Sequence, residues 1–543
     1  MRMYDRWYQN AVIYCLDVET FQDSNGDGIG DFAGLTSRLD YLAGLGITCI
    51  WLLPFYPSPN RDNGYDITDY YAVDPRLGSL GDFVEFTRHA HERGMRVLID
   101  LVVNHTSDQH PWFQAARCDP RSRYRDYYIW SADKPPDADQ QVVFPGVQQS
   151  TWTWDAQAGA YYHHRFYEHQ PDLNIANPAV RAEINKIVGF WLQLGVSGFR
   201  VDAAPFLIDI PSFQHGDAQD RYQYLRALRE TLSWRRGDAI LLAEANVDPQ
   251  TLRQYFGDGD RMHLLFNFYL NQHLFLALVR EQAQPLIESL RALPPIPPPC
   301  QWANFVRNHD ELTLDRLTPQ ERQEILDAFA PEPNMRIYGR GIRRRLPPML
   351  TGDRRRMVLT YSLMFTLPGI PVLRYGEEIS MGDDLSLRER ESVRTPMQWN
   401  DQPHAGFSSA PGEDLIYPPI DHGPFSYQRV NVAHQQRDPT SFLNTMERMI
   451  RTRKECPEFA WGTWQIMDPG TAQVLALRYE LEGRTVVTLH NLGRTAQRVR
   501  LALGSGAPRL IDLLSARQHE LPEGTPYELE LEGYGYRWLR LVS

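Results

Sequence analysis

Four apolar stretches of the chain each end in groups that titrate or hold protons. RVLIDLVVNH (96–105) ends in Asn104-His105, and VSGFRVDA (196–203) carries Arg200 and Asp202. AILLAEAN (239–246) carries Glu244, and WANFVRNHD (302–310) ends in His309-Asp310. Any one of these groups alone reads most simply as structural, because a buried Asp beside an Arg is usually an ion pair. Three carboxylates with an arginine and two histidines at four strand ends are costly to bury together unless they are used. A pair of carboxylates suits cleavage of a glycosidic bond. One attacks or stabilises the anomeric carbon, while the other, kept protonated, gives a proton to the leaving oxygen.

Such groups need a scaffold that brings distant positions to one mouth. Four further runs complete a set of eight: NAVIYCLDV (10–18), ITCIWLLPF (47–55), HLLFNF (263–268) and GIPVLRYGEE (369–378). They are continuously apolar rather than alternating, which predicts strands buried on both faces, as in a parallel sheet. Helical patterns lie between most of them. In NPAVRAEINKIVGFWLQLG the apolar residues recur at helical spacing behind an N-cap Asn177 and Pro178 at the first helical position. Eight strands alternating with helices predict an α/β fold, a (β/α)₈ TIM barrel with catalytic residues at the C-terminal ends of its strands.

Two gaps are too long for one helix. Residues 106–173, rich in Tyr, Trp, His and Pro, are expected to form a subdomain inserted after strand 3. Residues at about 316–350 form a smaller insertion. After about 455 the pattern changes to period two, as in RTVVTLHNL (484–492) and YRWLRLV (536–542), predicting a C-terminal antiparallel β-sandwich domain. The expected division is a barrel of 1–105 and 174–455 (domain A), an insert of 106–173 (domain B) and a β domain of 456–543 (domain C).

The 543 residues carry 56 Lys+Arg and 68 Asp+Glu, a formal charge of −12, which argues against holding a polyanion such as nucleic acid by bulk charge. The first residues lack the apolar core of a signal peptide. The longest uncharged run, Met357 to Leu373, reads as a buried helix and strand rather than a bilayer span. Five scattered cysteines with no CxxC argue against disulfides and zinc and fit a reducing cytoplasm. A soluble cytoplasmic protein follows as the expectation, and a homo-oligomer is compatible with it.

DLVVNH (100–105), GFRVDAA (198–204), EAN (244–246) and VRNHD (306–310) resemble the four signature segments of the α-amylase superfamily, glycoside hydrolase family 13. QPDLN (170–174) and PVLRYGEE (371–378) resemble two further family segments. The resemblance implies that Asp202 is the nucleophile of a retaining reaction, Glu244 the general acid/base and Asp310 the third carboxylate, gripping sugar hydroxyls. It implies that Arg200 orients Asp202, and that His105 and His309 bind the reacting glucose. RDNGYDITDYY (61–71) and VRTPMQW (393–399) match the exo-acting branch, in which Asp62 and Tyr65 close the pocket and Arg394 binds the terminal glucose. The run from FYPSP through NHTSDQHPWF, NHDELTL and GIRRRLPPML to RTPMQW is similar to the trehalose synthases, which isomerise maltose and trehalose. That likeness implies a disaccharide substrate, no organic cofactor and minor hydrolysis to glucose. An exo-acting α-glucosidase, a transglucosylase using another disaccharide and a non-catalytic amylase-like protein remain the competing readings. All three catalytic carboxylates are present, which disfavours the last. The stretch after Asp202 (203–220) is shorter than in those enzymes, and Arg374 stands where the family usually has Tyr; both bear on acceptor preference.

Asp23, Asn25, Asp27 and Asp31 place oxygens at alternate positions of a Gly-rich loop, a spacing suited to Ca²⁺ and also to a plain turn with solvated carboxylates. The family resemblance implies calcium here, with the carbonyl of Ile29 as a further ligand. It implies a second metal site from Asn104, Asp172 and Asp209 with the carbonyls of Phe206 and Leu207. The runs Arg343–Arg345 and Arg354–Arg356 are expected on a solvated helix face. The aromatic cluster Trp152, Trp154, Tyr161 and Tyr162 reads equally as sugar-stacking or as packing inside the insert.

Overall fold

The computed structural model describes residues 6–140, 142–211, 221–503, 509–520 and 526–542. All eight apolar runs form strands: β1 (Ile13–Leu16), β2 (Cys49–Leu52), β3 (Arg96–Leu101), β4 (Gly198–Val201), β5 (Ile240–Ala243), β6 (Leu264–Phe266), β7 (Gln301–Phe305) and β8 (Ile370–Arg374). Each pairs in parallel with the next in sequence, and β8 returns to β1 through Val372 opposite Ile13, closing the barrel. Alternate residues point inward. Ile13, Cys49, Leu98, Ile240, Leu264, Ala303 and Ile370 belong to one buried cluster inside the ring, which is a packed core and not a pore. One layer higher the interior turns polar, with Asp100 and Arg200 almost fully buried. That layer is the floor of the site.

The helix at Pro178–Gln193 starts where the sequence places it: the Asn177 side chain accepts from the Ala179 N–H and Pro178 takes the first turn. Between β3 and β4 the insert builds a three-stranded antiparallel sheet from Trp130–Ser131, Ala160–His163 and Trp152–Asp155. Between β7 and β8 the helix Pro319–Phe329 is flanked by a small sheet pairing Leu312–Thr313, Gly341–Ile342 and Arg336–Ile337.

The C-terminal region is a six-stranded antiparallel sheet packed against a two-stranded ribbon, Gln497–Leu501 with Tyr527–Leu531. Val487, Leu489, Val499, Leu501 and Leu531 form the core between them. The sheet's other face lies on the barrel, where the Trp538 indole donates to the Ser362 hydroxyl at 2.9 Å.

The second basic run opens the helix Arg354–Thr366 with Arg354 and Arg355 exposed, but the first, Arg343–Arg345, is not on a solvated helix face. Arg345 is 3% exposed and donates to the carbonyls of Tyr375 and Val393 at 2.8 and 2.9 Å. Arg356 reaches the carbonyl of Leu278 at 3.1 Å, and Arg354 those of Thr440 and Ser441 at 2.6 and 3.0 Å. These guanidiniums donate to backbone carbonyls of loops and of helix ends. Among the described residues, no helix is long and apolar enough to cross a membrane.

Candidate active site

Arg200 and Asp202 are two residues apart at the end of β4, so both face the barrel mouth. Ala203 then adopts a left-handed backbone, φ 47° and ψ 40°, before the helix Ala204–Ile208. That conformation is strained for a residue with a Cβ, and the sharp turn leaves Asp202 at the rim of the barrel. The neighbouring backbone is tied: the Glu244 N–H donates to Val201 O and the Ala204 N–H to Glu244 O, both at 3.1 Å. Glu244 therefore stands beside Asp202 at the end of the adjacent strand.

One guanidinium holds both carboxylates. Arg200 Nη1 donates to Asp202 Oδ1 and Nη2 to Glu244 Oε2. Groups bound to the two terminal nitrogens of one arginine stand close, on the side of the about 5–5.5 Å separation of retaining glycosidases rather than the 6.5–9.5 Å of inverting ones. Behind them lies Asp100, wholly buried, 3.3 Å from Arg200 Nη1. It accepts from the Trp51 indole and the Tyr65 hydroxyl, both at 2.7 Å. The Tyr65 hydroxyl also lies 2.8 Å from His309 Nε2, with the two rings stacked at 5.7 Å.

Asp310 sits between two arginines and a histidine. Arg390 Nη1 donates to its Oδ1 at 2.7 Å and Arg394 Nη2 at 3.1 Å, and His309 Nε2 is 3.2 Å from Oδ2. Burial alone would raise its pKa, but His309, Arg390 and Arg394 hold it well below the ordinary carboxylate range. Asp202 and Glu244 move the other way. Burial pushes each up to about 7 against the pull of Arg200; the charges of Asp100 and Asp310 add to the rise at Asp202, and those of Asp202 and Asp310 to the rise at Glu244. The pair therefore shares about one proton near neutrality, which an attacking carboxylate and a general acid require together. Burial also lowers the pKa of His105 and of His309.

A cavity of about 300 Å³ opens over these groups, at the small end of ligand pockets. Asp62, Tyr65, His105, Asp202, Glu244 and Asp310 line it. Arg200, His309 and Arg394 lie beneath, holding the carboxylates through the contacts above; Arg394 Nε also donates to the His309 carbonyl at 2.9 Å. The sequence reading missed Arg390, which lines the cavity and joins Asp62 to Asp310, donating to Asp62 Oδ1 at 2.8 Å. Its only signal was its place four residues before Arg394. Asn246, Asp315 and Arg316 line the outer part, where Asn246 Nδ2 donates to Asp315 Oδ1 at 2.9 Å.

The two insertions meet across the mouth. Phe144 of the first packs on Tyr338 of the second at 4.8 Å and on Tyr167 at 4.7 Å. Arg340 Nη1 donates to the Val143 carbonyl at 2.7 Å. The hydroxyls of Tyr167 and Tyr338 both donate to Glu389 Oε2, at 3.0 and 2.9 Å, beside Arg390.

In the loop after β1, Gly26 and Gly28 have positive φ and bend the chain, and Asn25 Nδ2 lies 3.1 Å from Asp27 Oδ2. The donor set, carboxylates and an amide with the Ile29 carbonyl, has the hard oxygens calcium takes. Several of those oxygens also accept backbone amides: Asp23 from Asn25, Gly26 and Gly28, and Asp27 from Ile29. Asp31 caps the helix Phe32–Ser37. Among the described residues no three His, Cys, Asp or Glu side chains converge as a metal cluster. At the second candidate site Asn104 Nδ2 donates to Asp172 Oδ1 at 3.1 Å, and Asp172 Oδ2 lies 2.9 Å from His163 Nδ1. Asn104 Oδ1 is buried without a partner. The Asp209 carboxylate is not brought to them: it is half exposed and paired with Arg221 at 3.1 Å. Much of the short segment after Asp202, residues 212–220, lies outside the described residues.

The model of the alpha-amylase catalytic domain matches residues 15–314 and 343–462, and that of the sucrose hydrolase-like C-terminal domain matches 483–540. The unmatched residues between 314 and 343 are the insertion that carries Tyr338 and Arg340. The chain is 42% identical over 545 residues to "Trehalose synthase/amylase TreS" of Mycobacterium tuberculosis, covering 99% of this chain and 90% of that protein. It is 44% identical to "Trehalose synthase" of Thermus thermophilus, covering 98% of this chain and 55% of that protein. Among solved structures, the trehalulose synthase MutB from Pseudomonas mesoacidophila superposes with a TM-score of 0.77 at 26% identity, covering 99% of each chain. The alpha-amylase from H.orenii does so with a TM-score of 0.79 at 27% identity, covering 98% of this chain and 99% of that one. With the closed parallel barrel, the insert after β3, the C-terminal antiparallel domain and the three carboxylates at the mouth, these matches place the family: the chain belongs to the α-amylase family of glycoside hydrolases.

Proposed function

We propose that the protein is a retaining α-glucosyltransferase that isomerises maltose and trehalose, with some loss of the glucosyl group to water. Asp202 attacks the anomeric carbon of the terminal glucose while Glu244 protonates the leaving oxygen, and a covalent β-glucosyl ester forms. Asp310, kept ionised by His309, Arg390 and Arg394, accepts hydrogen bonds from sugar hydroxyls. The freed glucose turns within the cavity and presents its own anomeric hydroxyl. Glu244, now a carboxylate, removes that proton as the ester is displaced, giving an α,α-1,1 linkage. No oxidation or phosphate chemistry is involved.

The observation that carries this reading is the bridge between the two insertions across the mouth. Phe144, Tyr167, Tyr338 and Arg340 join the two insertions over a cavity of about 300 Å³, which delays both escape of glucose and entry of water. The names of the relatives at 42–44% identity point the same way. Maltose turned over with excess isotopically labelled glucose tests it. Trehalose formed largely without label is expected. Heavily labelled trehalose would make the protein an open, intermolecular transferase, and glucose as the sole product an α-glucosidase.

The same reading includes a structural Ca²⁺ held by Asp23, Asn25, Asp27, Asp31 and the Ile29 carbonyl, away from the reacting groups. It also includes a reducing, cytoplasmic setting, supported by five free thiols, four of them buried.

A further inference from the structure

The aromatic cluster of the insert splits in two. Trp152 and Tyr162 are buried, at 8% and 7% exposure. Trp154 is 49% exposed, and Tyr161, directly opposite it across the hairpin, is half-buried. The two rings lie 5.1 Å apart at 64°, forming an angled aromatic surface on the outside of the insert. Several buried or half-buried tryptophans donate their indole N–H internally, among them Trp7 to Asp238, Trp51 to Asp100, Trp130 to Arg125, Trp191 to Tyr70 and Trp399 to Phe21. Neither the Trp154 N–H nor the Tyr161 hydroxyl has a hydrogen-bond partner among the described residues.

The surface is rigidly held. Asp155 accepts the N–H groups of Gln157 and Ala158 at the hairpin turn, at 2.9 and 2.8 Å, and pairs with Arg117 at 2.8 Å. On the same face, inward of Trp154 and Tyr161, Trp152 packs against His163 at 5.0 Å. His163 meets Asp172, which bonds Asn104 beside His105 at the cavity wall. One sheet face thus runs from the edge of the active site to solvent.

We propose that Trp154 and Tyr161 form a non-catalytic surface site for α-glucan chains. Partly exposed aromatic rings with a polar edge suit the apolar C–H faces and the hydroxyls of successive glucose units. Two rings set at an angle match a curved α-1,4 chain better than a flat β-linked one. This rests on the α-glucoside reading of the active site. On that reading the cavity of about 300 Å³ takes a disaccharide, so a longer chain bound outside would localise the enzyme without being its direct substrate.

Electrophoretic retardation in gels containing glycogen, with maltoheptaose titration of tryptophan fluorescence, tests the site on the full chain. The parent protein should be retarded by glycogen and not by a soluble β-glucan. Trp154→Ala should lose at least fivefold in affinity, Trp154→Phe less, and maltose turnover should stay within twofold in both. No retardation of a parent protein that turns over maltose, or retardation unchanged in Trp154→Ala, overturns the site. So does a change of oligomeric state in that variant with glycogen binding intact. A parent protein inactive on every α-glucoside overturns the active-site reading instead.

Discussion

Replacing Arg340 by alanine should loosen the mouth without removing a reacting carboxylate. The side chain donates to the Val143 carbonyl at 2.7 Å and lies 3.5 Å from Glu311 Oε1, with about one fifth of it exposed. A hydrogen bond from a charged group contributes about 1.5–3 kcal/mol. Partial exposure puts this one at the lower end, and the long Glu311 contact adds little. About 1.4 kcal/mol is a tenfold change in an equilibrium, so the open form should gain roughly tenfold over the closed one. If the lid keeps water out and glucose in, the ratio of free glucose to trehalose made from maltose should rise by up to about tenfold. The total rate of maltose consumption should fall no more than about threefold. Product chromatography over the first few per cent of conversion gives both numbers. An unchanged product ratio, or equal loss of both products, would refute the idea that this contact guards the intermediate.

Asp202→Ala should lower turnover of any α-glucoside by several orders of magnitude with the fold intact by circular dichroism; retention of more than a few per cent would exclude Asp202 as the nucleophile. Glu244→Gln should be as damaging on maltose yet spare the first step on an aryl α-glucoside with a good leaving group, read as a burst of released phenol. The pH profile of kcat/KM should lose its alkaline limb near 7, where the Asp202–Glu244 pair gives up its proton. Stability should follow the same groups: unfolded carboxyls release protons near 4 and these two near 7, so the native state binds more protons between those values and is destabilised as pH rises through them. Asp202→Asn should therefore raise Tm more at pH 8 than at pH 5; an equal rise at both would exclude the shift. Prolonged chelation, or Asp27→Ala, should lower Tm, since a ligand at a hundredfold excess over its Kd contributes about 2.7 kcal/mol; no shift in either, with no metal by elemental analysis, would remove the calcium site.

The barrel was legible because its strands are buried on both faces, so each is a largely apolar run without alternation, and the chemistry gathers toward the end of the run. Asp202, Glu244 and Asp310 stood out for that reason. Arg390 did not, because it lies in a single short 3₁₀ helix, Glu389–Val393, too brief to show a periodicity, and only the fold brings it against Asp62 and Asp310. Arg343–Arg345 was misread for a related reason. Clustered charge looks solvated in a sequence, and nothing local tells that Arg345 turns inward to the carbonyls of Tyr375 and Val393. In the β domain the strands Val474–Leu481 and Thr463–Met467 were missed. The first is apolar on both faces, against the ribbon core and against the barrel, so the alternation that betrays a half-covered strand is weakened.

Under the proposed mechanism, that Asp202 and Glu244 hang on the two arms of one arginine makes the site a two-stroke device. While Asp202 is an anion it repels a negative Glu244, so the glutamate keeps its proton and is loaded as an acid. Once Asp202 is esterified its charge is gone, and the whole of the Arg200 cation falls to Glu244. The glutamate then becomes a weaker base but a stably ionised one, ready to take a proton from whichever hydroxyl approaches. The reloading event is the breaking of the ester itself, so the site returns to its first state in the same act that releases the product.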